Sequence, residues 1–262
     1  MTKNKKAFSL VELSIVIIIL GLLVASVTVG KDLIQAAQLR ALITQLDSFE
    51  TQVGTFQLKY NELPGDISNP NKRGLGNHAG DGDGLLEDDT TGGDPDTIDY
   101  EISYFWEHLN RAGFADGAYD GDTTNGSLGE TFPEAKHGGG IVAYGLNGVN
   151  FFHVGITHSS NDSPPNLVFK DTLIPEDAFS VDNKIDDGFP LKGNVVARSA
   201  SCTTNPTSFT CANTAITEAS GGASQTPGEA CVLQAGTTQD ANTDEYDFYT
   251  PIVMCQLRIE LK

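Results

Sequence analysis

The feature that most constrains this chain is an apolar stretch near the N-terminus. The segment Phe8–Gly30 contains one charged residue, Glu12, and none after it. As a helix rising ~1.5 Å per residue, the segment would reach ~35 Å, enough to cross the hydrocarbon core of a bilayer. Residues 1–7 hold three lysines and no acid, which predicts a cytoplasmic N-terminus with the rest of the chain outside.

Glu12 is unusual in such a segment, because a carboxylate near the centre of a membrane helix costs about 2.5–3.5 kcal/mol, and somewhat less near an end. A secretory signal peptide would have a shorter apolar region followed by a small-x-small cleavage site. A plain signal anchor explains the length and the lysines but gives no reason for the acid. We therefore expect Glu12 to have a functional partner.

The residues around this acid, Lys6–Ile17 (KAFSLVELSIVI), resemble the processing site of type IV prepilins and pseudopilins. The resemblance implies that prepilin peptidase cuts between Ala7 and Phe8 and then methylates the new N-terminus. Family members usually have glycine before the cut, where this chain has Ala7. The resemblance also implies that Glu12 pairs with the Phe8 amine of a neighbouring subunit, which removes an unpaired charge from an apolar environment.

Beyond Gly30 the pattern becomes amphipathic without a break. Apolar residues recur at steps of three and four, with polar residues on the other faces, as in a helix with one buried stripe. The stripe comprises Leu39, Leu42, Leu46, Phe49, Val53, Phe56, Tyr60 and Leu63. A coiled-coil dimer would also explain it, but packing on the chain's own sheet is favoured because a large head follows. Pro64–Gly65 predicts the end of this helix.

Composition and length set further bounds. The chain has 262 residues, with 35 acidic and 16 basic side chains and a net charge of −19, which disfavours direct binding to nucleic acid or to anionic membranes. About 200 residues follow the helix, enough for one globular domain. We predict an α+β fold in which a long spine helix, transmembrane and then amphipathic, packs on an antiparallel, loop-rich, disulfide-containing head. The expected divisions are residues 1–7 (leader), 8–30 (transmembrane and filament-core helix), 31–63 (amphipathic half) and 64–262 (head).

Local patterns predict the elements of the head. Helices are expected over 99–112, with Trp106 and His108 as packing residues, and over 175–188. Strands are expected over 141–145, 150–157, 194–198 and 252–259. His153 and His158 are too poorly spaced to ligate a metal together. Leu63–Asp66 (LPGD) and Lys184–Gly188 (KIDDG) resemble stretches of a subgroup of larger pilin-like proteins.

An acidic loop over 69–96 suggests a calcium site. Two aspartates two residues apart, followed by glycine, resemble the middle of an EF-hand-type loop. The candidate ligands are the carboxylates of Asp81, Asp83 and Glu87 or Asp88 and the carbonyl of Leu85, with Leu86 facing the core. A solvated acidic loop explains the same residues equally well. A second acidic cluster (Asp116, Asp120, Asp122) is a weaker metal candidate.

Four cysteines lie in the part of the chain that the topology places outside the cell, where disulfides persist. Of the three possible connectivities, Cys202–Cys211 with Cys231–Cys255 is favoured. The first pair closes a short loop and the second ties a loop to the final strand. Each bridge is worth about 3 kcal/mol in the chain-entropy treatment.

No catalytic constellation is present in the sequence, neither a Gly-x-Ser-x-Gly elbow nor a phosphate-binding glycine loop, so an enzyme is not expected. The resemblance implies a structural subunit of a type IV pilus-like surface filament, with mechanical and adhesive work. A minor pilin, a type II secretion pseudopilin and a membrane-anchored periplasmic binding protein are the alternatives. The implied partners are copies of the chain, prepilin peptidase, the inner-membrane assembly machinery and, before assembly, the lipid bilayer. The implied location is the inner membrane first and an extracellular filament afterwards.

Overall fold

A long N-terminal helix carries a head built of two further helices and an antiparallel sheet. The computed structural model describes residues 10–87, 100–121, 127–146, 148–159, 167–169, 172–190, 192–198, 231–233, 245–246 and 255–261. The expected spine helix and α+β class are confirmed.

Helix α1 (Leu10–Tyr60) is continuous over 51 residues. The expected stripe is confirmed where it meets the head, since Leu42, Leu46, Phe49, Val53 and Phe56 are buried. The predicted end at Pro64–Gly65 was wrong. The helix stops after Tyr60 because Asn61 adopts a left-handed conformation with φ 58°, which asparagine tolerates better than most residues.

Helix α2 (Glu101–Arg111) lies against α1 through aromatic side chains. The Phe49 and Trp106 ring centroids are 4.7 Å apart, and Phe49 also lies 6.2 Å from Phe152 on the sheet. Phe105 completes this group, with its ring centroid 6.0 Å from that of Phe152. Trp106 and His108 are both fully buried. Aromatic packing between α1, α2 and the sheet therefore fixes the head on the C-terminal half of α1.

The main sheet is antiparallel, with the spatial order β1-β2-β7-β4, and β3 also pairs with β2. The strands are β1 (Gly140–Leu146), β2 (Val149–Ser159), β3 (Leu167–Phe169), β4 (Val195–Arg198) and β7 (Gln256–Glu260). Alternate residues face α1 and α2, as the period of two requires: Phe152 and Val154 of β2 stand opposite Ile259 and Leu257 of β7, and all four are buried.

The remaining elements lie at the side of this sheet. Helix α3 (Pro175–Ile185) begins with proline at its first turn, as expected. Two short strands, β5 (Val232–Leu233) and β6 (Glu245–Tyr246), form a separate pair. A disulfide joins Cys231 to Cys255, the pairing expected for these two cysteines, and so ties β5 to the start of β7. Cys202 and Cys211 lie outside the described residues.

The face of the sheet turned away from α1 also buries polar groups. The Tyr144 hydroxyl lies 3.2 Å from Nδ1 of His153, whose Nε2 lies 2.8 Å from the amide oxygen of Gln256. The Arg258 guanidinium stacks 4.4 Å from the centre of the Phe151 ring. His153 is therefore part of a hydrogen-bonded sheet layer. The side chain of His158 falls outside the description.

Candidate functional site

The apolar side chains of the N-terminal half of α1, from Leu10 to Val29, are exposed in the described part of the subunit. Leu10 is 85% exposed and Leu22 is 65% exposed, and the apolar side chains between them are exposed as well. The first fully buried position of the helix is Leu42. Among the described residues, α1 is the helix long and apolar enough to cross a membrane. Such a long exposed apolar surface indicates a helix that is covered by lipid or by other protein.

Polar side chains in this half are compatible with an apolar environment. The hydroxyls of Ser14, Ser26 and Thr28 donate to the backbone carbonyls of Val11, Leu22 and Val24, at 2.8, 2.8 and 3.2 Å. Hydroxyls bonded in this way need no water. Glu12 lies in the first turn and is exposed, so its carboxylate is the one charge in the apolar half. Ala7 and Phe8 lie outside the described residues.

The acidic loop of the head is held by two buried carboxylates, Asp66 and Glu101, that were not among the candidate site residues expected from the sequence. Asp66 accepts hydrogen bonds from the backbone N–H groups of Gly82 (2.6 Å) and Gly84 (2.8 Å). Glu101, in the first turn of α2, accepts from the N–H groups of Asp81 (2.9 Å) and Glu87 (3.1 Å). Both acids are 1% exposed. Four backbone donors of the loop are thus satisfied by two side chains.

Burial raises the pKa values of Asp66 and Glu101. Oxygens of Asp66, Asp81 and Glu101 lie within 4.8 Å of one another. Burial, together with the neighbouring Asp66 and Asp81 charges, raises the pKa of Glu101 to about 8, although two backbone hydrogen bonds oppose the shift. Burial likewise raises the pKa of Asp66. Glu101 therefore retains its proton at neutral pH.

The calcium ligands expected from the sequence are placed differently from one another. Asp81 is exposed but has a carboxylate oxygen within 4.8 Å of those of the buried Asp66 and Glu101. Asp83 is also exposed, and its Oδ1 accepts from the N–H of Leu85 at 2.8 Å. Glu87 is bound to Glu101 through its backbone, and Asp88 lies outside the described residues. Leu86 is fully buried, as expected. Calcium binding by the loop stays a prediction.

The residues of the LPGD stretch (Leu63–Asp66) are explained by their contacts with α2 and with the acidic loop. Gly65 has φ +91°, and a Cβ there would lie 2.5 Å from the Glu101 carbonyl oxygen, so only glycine fits. The Gly65 N–H donates to Nδ1 of the buried His108 at 2.9 Å. Burial lowers the pKa of His108 to about 4, which keeps this nitrogen an acceptor. Asp66 then cradles the acidic loop, so the stretch joins the spine, α2 and the loop.

Carboxylates in and beside the KIDDG stretch (Lys184–Gly188) also accept hydrogen bonds from other parts of the head. Asp182, two residues before this stretch, accepts hydrogen bonds from the Tyr246 hydroxyl at 2.7 Å and from the Gly188 N–H at 3.3 Å. Burial raises the pKa of Asp182 to about 7. Asp186 accepts from the backbone N–H groups of Asn194 and Val195, next to the start of β4. These acids fasten α3 to β4 and β6.

The second acidic cluster expected from the sequence is only partly described. Asp120 accepts a hydrogen bond from the Thr131 hydroxyl at 3.0 Å, Asp116 is exposed, and Asp122 lies outside the described residues. The carboxylates that do organise the head were missed because each is separated from its partners by many residues. Two features of the sequence could have identified them: Asp66 directly follows the turn signal Pro64–Gly65, and Glu101 lies near the start of a predicted helix.

Comparison with known families bears on the N-terminal segment. Residues 2–28 match the family described as the prokaryotic N-terminal methylation motif. Neither curated proteins nor solved structures give a match to this chain. The match includes the Ala7–Phe8 junction and Glu12, and it covers the exposed apolar turns of α1. The chain therefore carries, at its N-terminus, the prepilin-type cleavage motif of type IV pilins.

Proposed function

We propose that this protein is the structural subunit of a type IV pilus-like filament, assembled through its N-terminal helix. One observation carries the proposal. The methylation motif runs directly into a helix that is exposed and apolar over its first half and buried in its own head only from Leu42 onward. A continuous rigid helix of this kind presents one hydrophobic rod to its surroundings and one folded head at the far end.

The apolar half of α1 is covered first by lipid, before assembly, and then by neighbouring subunits in the filament. Before assembly the bilayer covers the apolar side chains, but it makes the Glu12 carboxylate costly. In a filament the same side chains pack on the rods of neighbouring copies, and Glu12 pairs with the amine of a processed Phe8. Leaving the bilayer for the bundle is favourable because the Glu12 carboxylate then lies beside a cationic amine and the apolar surface remains covered.

The head then forms the outside of the filament. Its buried carboxylates bind backbone groups of its own loops, which fits an architectural part. The excess of acids in the chain, 35 against 16 bases, keeps the surface hydrated and soluble. The motif is that of a structural, non-enzymatic family.

Location tests this proposal. Cells are sheared, and the protein is quantified with an antibody in the filament fraction and in the membrane fraction. A main filament subunit should be abundant in the sheared filaments. A minor pilin would be present there at trace level, and a secretion pseudopilin or a membrane-anchored binding protein would stay with the cells. Absence from sheared filaments in piliated cells would contradict the proposal.

A further inference from the structure

A nearly buried histidine, His137, lies where the head meets α1 next to the start of α3. Its side chain is 10% exposed and borders the same groove as Gln35 of α1 and Asp177 of α3. Oδ2 of Asp177 accepts a 2.7 Å hydrogen bond from the Gln35 amide and lies 3.5 Å from Nε2 of His137. The neighbouring α1 residues, 31–34 and 36–38, are exposed. Gln35, Asp177 and His137 thus form a joint between α1, α3 and the loop over 133–139.

The surroundings of the His137 ring suit a neutral imidazole. Because Nε2 faces a carboxylate, it carries the proton of the neutral ring, and the lone pair is on Nδ1. Nδ1 is buried without a hydrogen-bond partner among the described residues, and the hydroxyl oxygen of Thr172 beside the same groove does not accept from it either. A second proton would place a buried N–H at Nδ1 with no acceptor, and the ring would lose the hydration of that group.

The charged groups around His137 come from all three parts of the joint. Asp177 of α3 is the anion next to the ring and favours a second proton. Lys31 of α1, a cation that borders the same groove, disfavours it. In the loop itself, Glu134 and Lys136 are exposed and of opposite charge. Burial outweighs the Asp177 carboxylate and lowers the pKa of His137, so the closed joint favours the neutral ring.

We propose that this joint is acid-sensitive: a second proton on His137 opens the contact between α1, α3 and the loop over 133–139 while the rest of the head stays folded. In the open state Nδ1 reaches water, so the charged ring is hydrated on both sides. A group whose pKa is lowered in the closed state favours opening as the pH falls below its ordinary value of 6.5. This inference concerns the head alone, goes beyond the filament role and does not depend on it.

Amide hydrogen exchange of the full-length protein in mild detergent tests the joint. Two amides of the loop report its opening: the Lys136 N–H donates to Oε1 of Gln45 on α1 at 3.0 Å, and the Gly138 N–H donates to the Ala135 carbonyl at 2.9 Å. After correction for the intrinsic effect of pH on exchange, their opening should increase severalfold from about pH 7 to about pH 5. The upper limit is ~25-fold, for a closed state that binds no proton. Unchanged or reduced opening at the lower pH would overturn the inference.

Amides of β7 provide the internal reference for local opening. The raised pKa values of Glu101 and Asp182 make acid stabilising for the head as a whole, which is opposite to the response expected at the joint. Acid-induced exchange should therefore appear in the loop and in the first turn of α3 but not in β7. An equal increase in β7 would show global unfolding and contradict a local joint.

Variants identify the titrating group, although the wild-type comparison needs none of them. His137→Gln should abolish the acid response of the loop amides, because the ring that takes the proton is gone. Asp177→Asn should enlarge the response, since its amide oxygen still accepts from Gln35 but no longer favours a charged ring. His78→Gln is the matched control, because His78 also contacts an acid, Glu107, away from the joint. A response that persists in His137→Gln, disappears in Asp177→Asn or disappears in His78→Gln would refute the assignment to His137.

Discussion

Cells that express only the Glu12→Ala variant should make few or no filaments, while the subunit accumulates in the membrane. The substitution removes the charge expected to pair with the Phe8 amine and makes residence in the bilayer cheaper by about 2.5–3.5 kcal/mol at most. That range corresponds to about a hundredfold in an equilibrium, so we expect at least about a tenfold fall in filament-borne subunit. Electron microscopy and quantification of sheared filaments measure it.

The control for this experiment is Asp47→Ala. Asp47 is another exposed acid of α1, but it lies beside the head, beyond the apolar half. Glu12→Gln adds a second comparison, because it keeps the size of the side chain and removes only the charge. Both Glu12→Ala and Glu12→Gln should fold, since Glu12 is exposed and distant from the buried part of α1. Normal piliation of Glu12→Ala, or equal loss with Asp47→Ala, would contradict the pairing.

The head should become less stable as the pH rises from about 5 to about 8. The pKa of Glu101 is raised from 4.5 to about 8 and that of Asp182 from 3.8 to about 7. In this range the folded protein holds protons that the unfolded chain has released, so their stabilisation is lost as the pH passes the folded-state values. His108, whose pKa is lowered from 6.5 to about 4, opposes this only below about pH 6.5.

The expected loss is about 2–4 kcal/mol from Glu101, measured as the free energy of unfolding from the fluorescence of Trp106, the single tryptophan. Glu101→Gln should flatten this dependence, although it also weakens one backbone hydrogen bond. Asp182→Asn should remove the smaller part near pH 7. The amide oxygen can still accept from the Gly188 N–H, and the NH2 group can donate to the Tyr246 oxygen in place of the original bond. A wild-type stability that is flat or rises between pH 5 and 8 would contradict the buried proton.

Calcium can be tested in the same experiment. If the acidic loop binds the ion, calcium should raise the unfolding temperature more at about pH 8 than at about pH 5, because ionised carboxylates are its ligands. Two variants distinguish the ligand sets: Asp83→Ala removes a ligand expected from the sequence, and Glu101→Gln removes one of the buried cluster. No calcium effect on a folded protein at either pH would leave the loop as acidic surface fixed by Asp66 and Glu101.

The spine and the main strands could be predicted from the sequence because their signals are local. The steps of three and four from Leu42 to Phe56 require only a helix period, and the alternation around Phe152 requires only a strand. The predicted helix end failed because a single left-handed residue, Asn61, ended the helix before Pro64 did. Strands of two or three residues, such as β5 and β6, have no periodic pattern to detect.

The carboxylate network could not be predicted because it depends on distant parts of the chain. Asp66 binds backbone groups 16 and 18 residues away, and Asp182 accepts from Tyr246, 64 residues away. The sequence drew attention to the exposed Asp83 because repeated acids are conspicuous. Asp66 lies in the LPGD stretch, which was noted only for its resemblance, and no local pattern shows that its carboxylate is buried. The N-terminal methylation motif could be predicted since its leader, acid and apolar run are contiguous.

The mass of the mature N-terminus tests the central claim most directly. Filaments are sheared from cells, the subunit is isolated from them, and its N-terminal peptide is measured by mass spectrometry. If the chain is a processed filament subunit, the peptide begins at Phe8 and carries one N-methyl group. A filament-borne chain that still begins at Met1, or one cut at another position, would contradict the account.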